Sequence, residues 1–215
     1  LAIDRKAINQ AETLGYSKVS ASIIPAGYEF YWAAPPIPYD PARAQKLLAE
    51  AGHGPGNPFK FTMTISNSDP AHIEVAQALR SQFDKIGAQM DIQVVDFATW
   101  NRAFVAQRKL QITLQNTLSS LNVNSNSHVL YSKSGLDYYN IKDPKLDALL
   151  EGWRSTIDPR KQMEVSHQIQ RYLAEMAYYP VIAGSPFIQA TRAEVKGFQY
   201  LGNLVNDFRE IWLDK

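Results

Sequence analysis

The sequence contains no cysteine, so neither a disulfide framework nor a thiolate metal site can form. It also has no run of about 20 apolar residues, which a membrane-spanning helix would need. Neither sign of charge is in excess, because 22 lysines and arginines are balanced by 21 aspartates and glutamates. Nucleic-acid-binding proteins usually carry a concentrated basic stretch, whereas residues 102–109 spread three cations along one predicted helix. We therefore expect no nucleic-acid partner.

Patterns that indicate catalysis or metal binding are also missing. The histidines are far apart, and no two share a predicted helix face: His53, His72, His128 and His167. There is no Gly-x-Ser-x-Gly elbow, and the glycine-rich residues 51–56 follow a helix and lack the Gly-Lys-Ser/Thr of a phosphate loop. We attribute Asp143 to helix capping, and Asp137 and Asp147 to solvent exposure. The sequence thus predicts no cofactor, no metal and no enzyme, with a small α/β hydrolase as the alternative.

What the sequence does contain is a regular series of helix patterns. The composition, 45% hydrophobic and 20% charged over 215 residues, is ordinary for a globular protein with a sizeable core. Four helices share one start signal, a capping aspartate followed by a proline at the first helical position. These pairs are Asp40-Pro41, Asp69-Pro70, Asp143-Pro144 and Asp158-Pro159. A fifth helix is predicted around Trp100 and Phe104.

Strand patterns fall between these helices. Apolar and polar residues alternate over residues 59–65, 89–94 and 110–115, and shorter candidates are residues 181–183 and 187–191. From residue 59 to 115 the order is strand, helix, strand, helix, strand. This order predicts an α/β fold, with a mixed sheet flanked by helices.

Two other segments are irregular or incomplete. Residues 16–39 contain prolines and aromatic residues without a period, which favours an extended arm laid over a surface rather than a flexible linker. Residues 1–8 have a helical pattern with no initiator methionine and no capping residue before it. We therefore expect the chain to begin within a helix and to be a piece of a longer protein.

The candidate binding site lies at the predicted strand ends. Ligands of open α/β sheets lie outside the carboxyl ends of the strands, where residues 66–69, 96–99 and 116–127 form loops. The first and third loops are rich in uncharged hydrogen-bonding groups, which orient a polar solute at a small desolvation cost. Tyr131 and Tyr138 could add ring faces. The predicted ligand-binding residues are Asn67, Asn116, Thr117, Ser119, Asn122, Asn124 and Tyr139.

Several segments, in chain order, resemble the family 5 extracellular solute-binding proteins, which serve ABC importers of peptides, opines or nickel. Residues 1–8 (LAIDRKAI) are similar to the family's AIDR helix. Residues 38–52 (PYDPARAQKLLAEAG) are similar to its YDPxxAKxLLxEAG pattern, the most specific match. Further matching segments are residues 79–87, 139–150, 158–182 and 195–198.

The resemblance implies a periplasmic protein of two lobes of the type II periplasmic binding protein fold. The lobes would enclose a small solute and present it to a membrane permease. Residues 1–190 would form most of the second, C-terminal lobe, incomplete at its N-terminus, and residues 191–215 a tail returning toward the missing first lobe. One lobe alone would bind solute weakly or not detectably.

The resemblance also bears on the solute. Peptide-binding members carry a tryptophan and an aspartate in the loop after the third strand, and that aspartate pairs with the peptide's amino terminus. The matching residues 115–124 contain neither, and residues 66–69 lack the arginine by which dipeptide-type members hold a carboxylate. An uncharged or differently charged solute, such as a sugar derivative, an opine or a capped peptide, is therefore favoured over a free peptide.

Overall fold

The start of each predicted helix is set by its capping aspartate. The computed structural model describes residues 1–116, 128–184, 190–202 and 205–214. All four Asp-Pro pairs begin helices, and in each the aspartate side chain accepts a backbone N–H of the first turn. These helices are α2 (Pro41–Glu50), α3 (Pro70–Asp84), α5 (Pro144–Ser155) and α6 (Pro159–Glu175). The fifth predicted helix is α4 (Phe97–Asn101), which continues into a π-helical turn, Arg102–Ala106.

The first helix corrects one expectation. Helix α1 spans Arg5–Thr13, and the Asp4 carboxylate accepts the N–H of Ala7 at 2.9 Å. Asp4 is therefore a true N-cap, and the prediction of an uncapped helix running from residue 1 is wrong. The apolar period alone did not show that residues 1–3 precede the helix.

Two of the three longer strands are confirmed. Strand β1 (Lys60–Ser66) pairs in parallel with β2 (Gln89–Val95) over its whole length, with Met63 opposite Ile92. The third prediction, residues 110–115, is wrong as a full strand, since it forms only a parallel bridge from Ile112 to Met63. One cause is that the Thr62 N–H donates to the side-chain oxygen of Gln111, at 2.8 Å, instead of to a backbone carbonyl.

The later strand predictions were less successful. Residues 181–183 form no strand, although the following Gly184 makes an antiparallel bridge with Lys18. Residues 187–189 of the other candidate lie outside the described residues. The strands that follow are β3 (Val195–Lys196), β4 (Gln199–Gly202), β5 (Val205–Asp207) and β6 (Trp212–Leu213). The pairs β3–β6 and β4–β5 are antiparallel, and in the described part of the chain they form two-stranded sheets separate from the parallel β1–β2 pair.

The apolar side chains form two cores. The first lies between the β1–β2 pair and helices α1 and α3, and includes Ile8, Met63, Ile65, Leu79 and Met90. The second lies between α5 and α6, and includes Leu146, Leu150, Trp153, Ile169 and Leu173. The predicted arm, residues 16–39, runs from α1 toward α2 and contributes buried Ile24 and Phe30 to the second core. The arm is therefore packed, as expected.

Asp143 connects the start of α5 to Tyr172 and Tyr178 through its two carboxylate oxygens. One oxygen accepts the N–H groups of Lys145 and Leu146 at the start of α5. The other accepts the hydroxyls of Tyr172, at 2.7 Å, and Tyr178, at 3.1 Å. The hydrogen bond from Tyr172 is the main cause that lowers the pKa of Asp143 below its ordinary value. The folded state therefore favours the ionised carboxylate.

The lowered pKa of Asp143 gives a pH prediction. A group whose pKa is lower in the folded state adds stability above its unfolded pKa of about 3.9, and that stability is lost as pH falls through the folded pKa. We expect the free energy of unfolding of the native protein to exceed that of Asp143→Asn at pH 5–7, and the difference to shrink below about pH 4. Urea unfolding at several pH values measures this.

A control variant separates this effect from general acid sensitivity. Tyr172→Phe removes the hydrogen bond that is the largest cause of the lowered Asp143 pKa. The part of the free energy of unfolding that is lost at acid pH should therefore be smaller in this variant than in the native protein. A difference between native protein and Asp143→Asn that stays constant from pH 7 to pH 2 would contradict the assignment.

Candidate functional site

The carboxyl ends of β1 and β2 bring two of the predicted loops together. Because the strands are parallel and in register, Ser66 lies opposite Val95. The Asn67 N–H donates to the carbonyl of Val95 at 2.9 Å, which joins the ends of the strands. The hydroxyl of the buried Ser66 lies 2.8 Å from that of Ser68, and both Asn67 and Ser68 are exposed. This edge therefore presents uncharged polar groups to solvent.

The segment that follows the Ile112 bridge reaches the same edge. It runs parallel to β1, and the Thr64 N–H donates to the carbonyl of Ile112 at 3.0 Å. Four residues later, the exposed Asn116 donates its side-chain N–H to Oδ2 of Asp69 at 2.6 Å. The structure thus brings Asn67 and Asn116, two of the predicted ligand-binding residues, to one strand-end edge.

Asp69 was predicted only as a helix cap, and it has a second role. Its Oδ1 accepts the Ala71 N–H at 3.1 Å, which is the cap of α3. Its Oδ2 accepts from Asn116 and lies 3.6 Å from Nε2 of His72. Asp69 and Asn116 are 47 residues apart, so no local pattern reveals this contact.

The second loop is held by its own carboxylate. Asp96 caps α4, accepting the Thr99 N–H at 2.9 Å on Oδ1 and the Thr99 hydroxyl at 2.7 Å on Oδ2. The hydroxyl bond is the main cause that lowers the pKa of Asp96. Both oxygens of this carboxylate are therefore engaged within the loop.

Tyr139 is joined to the same edge through the residue before Asn116. Its hydroxyl donates to Oε1 of Gln115 at 3.1 Å. Its ring makes edge contacts with Phe104 and Tyr179, with centroids 5.5 Å apart in each case. Burial is the main cause that raises the pKa of Tyr139, and the neighbouring Tyr179 acts in the same direction. Tyr139 is thus a neutral, fixed support of Gln115, a residue that the sequence did not single out.

The other candidate tyrosines differ in their surroundings. The Tyr138 ring lies 6.0 Å from Phe104, in the same aromatic group. Tyr131 instead donates its hydroxyl to Glu151 at 2.6 Å, and its ring lies 4.5 Å beneath the guanidinium of Arg154. Tyr131 is therefore directed at helix α5.

The remaining predicted ligand-binding residues fall outside the described residues and stay predictions: Thr117, Ser119, Asn122 and Asn124. Among the described residues, no group of three or more histidine, aspartate or glutamate side chains is placed to hold a metal ion. Within the same ranges, no helix combines the length and apolar character needed to cross a membrane.

The assignment of two aspartates to solvent exposure is wrong. Asp137 is fully buried, and Asp147 is also buried. Burial raises the pKa of Asp137, while the charge of Arg108 acts in the opposite direction. Asp147 accepts the N–H of Ser132 at 2.9 Å and also the Ser132 hydroxyl, so it fixes the turn before α5. Asp147 is thus accounted for by this turn, whereas both carboxylate oxygens of Asp137 are buried without a hydrogen-bond partner among the described residues.

Two cavities lined by described residues lie away from this edge. An open groove of about 470 Å³ lies at the amino ends of β1 and β2, lined by Lys60, Thr62, Asp91 and Gln111 among others. A second cavity, beside Tyr139, has about 10 Å³, which is too small for a solute. Since ligands of such sheets lie at the carboxyl ends of the strands, the candidate site is the open surface formed by Asn67, Asp69 and Asn116.

Comparisons with known proteins agree with this fold. Residues 1–138 match the family of bacterial extracellular solute-binding proteins, family 5, middle region. The glutathione-binding protein GsiB of Salmonella typhimurium is 32% identical over 95 residues, which are 44% of this chain and 18% of that protein. The Escherichia coli K12 protein of the same name is 28% identical over 95 residues, with the same shares of the two chains. This chain thus covers about a fifth of these curated relatives.

Solved structures show the same fold. The oligopeptide-binding protein AppA of Bacillus subtilis, in complex with a nonapeptide, superposes with a TM-score of 0.80 at 20% identity, over 100% of this chain and 46% of that one. A dipeptide-binding protein of Pseudoalteromonas sp. SM9913, in complex with Met-Leu, gives 0.79 at 23% identity, over 99% and 43%. The relatives named here are binding proteins, which gives no support to the hydrolase alternative. The chain belongs to the family 5 bacterial extracellular solute-binding proteins.

Proposed function

We propose that this chain forms one wall of the solute-binding component of an ABC importer, and that it binds a small polar solute without converting it. The observation that carries the proposal is the meeting of Asn67, Asp69 and Asn116 at the carboxyl ends of parallel strands. Such strand ends are where α/β sheets bind ligands. Membership of family 5 supports the same function.

In this proposal the protein acts in the periplasm and delivers its solute to a membrane permease. Residues 1–190 belong to one lobe, and residues 191–215 form a tail that contacts a second lobe. The exposed apolar side chains of Phe208, Trp212 and Leu213 support a covering partner for the tail. The solute classes that fit are peptide-like compounds, opines and sugar derivatives, since the described wall is polar and mostly uncharged.

A thermal-shift screen of the intact two-lobed protein against peptides, sugars and opines tests this proposal. A solute that binds only the folded state raises stability, by about 2.7 kcal/mol at 100 times its Kd. We expect at least one solute to raise the melting temperature and to be recovered unchanged. Chemical conversion of the solute would contradict the proposal.

The site itself is tested by Asn116→Ala, measured by calorimetry with the solute found in that screen. Loss of one hydrogen bond of about 1.4 kcal/mol weakens binding about tenfold. Gln168→Ala is the matched control, because Gln168 is an exposed amide residue on α6. Equal affinities of Asn116→Ala and the native protein would remove Asn116 from the site.

A further inference from the structure

The hydrogen bond between Asn116 and Asp69 fixes which end of the Asn116 amide is available. An ionised carboxylate can only accept hydrogen bonds, so the atom 2.6 Å from Asp69 Oδ2 must be the Asn116 nitrogen. The Asn116 carbonyl oxygen therefore points away from Asp69. The exposed side chain of Asn116 offers its oxygen, a neutral acceptor, to the strand-end surface.

The carboxylates of this edge are already engaged. Asp69 accepts hydrogen bonds from the Ala71 N–H on one oxygen and from Asn116 on the other. Asp96 accepts two hydrogen bonds from Thr99, one on each oxygen. An ammonium group at this edge would have to share carboxylate oxygens that already accept hydrogen bonds, and Asp69 Oδ2 also lies 3.6 Å from Nε2 of His72.

Positive groups are lacking in the same loops. Residues 66–69, 96–99 and 115–116 contain no lysine and no arginine. A carboxylate of the solute would therefore lose its water without gaining a charged partner from these loops. Removing a charge from water without a partner costs several kcal/mol, whereas a hydroxyl loses much less.

The groups that remain match a hydroxyl-bearing solute. The edge offers the Asn116 oxygen as an acceptor, the Asn67 amide as donor and acceptor, and the hydroxyl of the exposed Ser68. The Gln115 oxygen accepts from Tyr139, which leaves the Gln115 amide N–H groups as donors. A hydroxyl both donates and accepts, so a row of hydroxyls can satisfy such an alternating set.

We propose that the solute received at this edge is an uncharged polyhydroxyl compound of the sugar or polyol class. One of its hydroxyls donates to the Asn116 oxygen, and Asp69 acts as the positioning residue that holds this oxygen outward. The proposal rests on the proposed function and specifies its solute.

The variant Asp69→Asn tests the role of Asp69. Asparagine caps a helix about as well as aspartate, so α3 should keep its start and the melting temperature of the ligand-free protein should stay unchanged. A neutral amide at position 69 can pair with either the nitrogen or the oxygen of the Asn116 amide. The Asn116 oxygen is then no longer held pointing away from position 69. We expect binding of a neutral saccharide to weaken about tenfold, as for the loss of one oriented hydrogen bond.

The matched control is Asp158→Asn, which makes the same change in the same Asp-Pro cap, at the start of α6. We expect this variant to bind as the native protein does. A second variant, Asn116→Asp, places a carboxylate against Asp69 and replaces the neutral acceptor. It should bind the neutral saccharide more weakly than the native protein, because two carboxylates repel each other and position 116 can no longer donate to Asp69.

Calorimetry of the intact protein with two sets of probes separates the outcomes. The neutral set is sucrose, raffinose and mannitol, and the charged set is glutathione and the dipeptide Met-Leu. Binding of a neutral probe that weakens in Asp69→Asn and not in Asp158→Asn supports the inference. If only the charged probes bind, the proposal of an uncharged polyhydroxyl solute is wrong and the proposed function stands. If Asp69→Asn and the native protein bind a neutral probe equally, Asp69 is not the positioning residue. Binding of no probe in either set, with no thermal shift in the wider screen, contradicts the proposed function itself.

Discussion

Replacing Leu150 with alanine should lower the free energy of unfolding by about 2–5 kcal/mol, the range for a buried leucine truncated in a close-packed core. Leu150 is 0% exposed and lies on α5 among Trp153, Ile169 and Leu173. The backbone of two packed helices cannot close fully around the missing atoms. The cost therefore includes a cavity as well as the lost burial of the side chain.

Urea unfolding followed by tryptophan fluorescence measures this change, since Trp153 lies in the same core. Leu47→Ala is the matched control: Leu47 is 47% exposed on α2, and its truncation should cost less than about 1 kcal/mol. Similar losses for the two variants would show that Leu150 does not lie in a close-packed core.

The helices could be predicted because their signals are local. An aspartate cap acts on backbone N–H groups two or three residues later, as the contacts of Asp40 with Arg43 and Asp158 with Lys161 show. A proline at the next position fixes a helical φ angle and needs no donor. Neither feature depends on the rest of the chain, so sequence alone was sufficient at all four starts.

The third strand failed for the opposite reason. Alternation over residues 110–115 shows which side chains would lie on the polar face of a strand. Whether the strand forms depends on backbone hydrogen-bond partners in distant parts of the chain. At Thr62 the Gln111 side chain accepts the N–H that a neighbouring strand would otherwise bind. A side chain that replaces a backbone acceptor leaves the alternation unchanged, so the sequence pattern cannot reveal it.

The candidate site was predicted in part. Ligands of α/β sheets lie at the carboxyl ends of the strands, and this rule led to Asn67 and Asn116. Applying it needs only the order of helices and strands along the sequence. The role of Asp69 and of Gln115 depends on contacts with Asn116 and Tyr139, which lie 47 and 24 residues away from them in sequence. Likewise, the burial of Asp147 depends on Ser132, 15 residues earlier. Tertiary contacts of this length have no signature in a single sequence.

Gln170 connects the arm to helix α6, and its replacement by alanine should lower the free energy of unfolding by about 2–4 kcal/mol. Gln170 is 2% exposed; its amide donates to the Phe30 carbonyl at 2.8 Å, and its oxygen accepts the Ser22 hydroxyl at 3.0 Å. Alanine removes both bonds and leaves the Phe30 carbonyl buried without this donor. A buried polar group left unpaired costs about 1–3 kcal/mol, and the lost side-chain volume adds to it.

Because Gln170 holds residues 22–30 against α6, its loss should also be visible in the arm. Hydrogen exchange of the segment around Phe30 should become faster in Gln170→Ala, while that of β1, in the other core, should change only as much as global stability does. Gln170→Leu restores most of the volume without the hydrogen bonds, so it separates packing from polar pairing. Gln168→Ala, on the exposed face of the same helix, should cost less than about 0.5 kcal/mol. Equal costs at positions 168 and 170 would mean that the arm is held by its apolar contacts alone, with Ile24 and Phe30 sufficient to fix it.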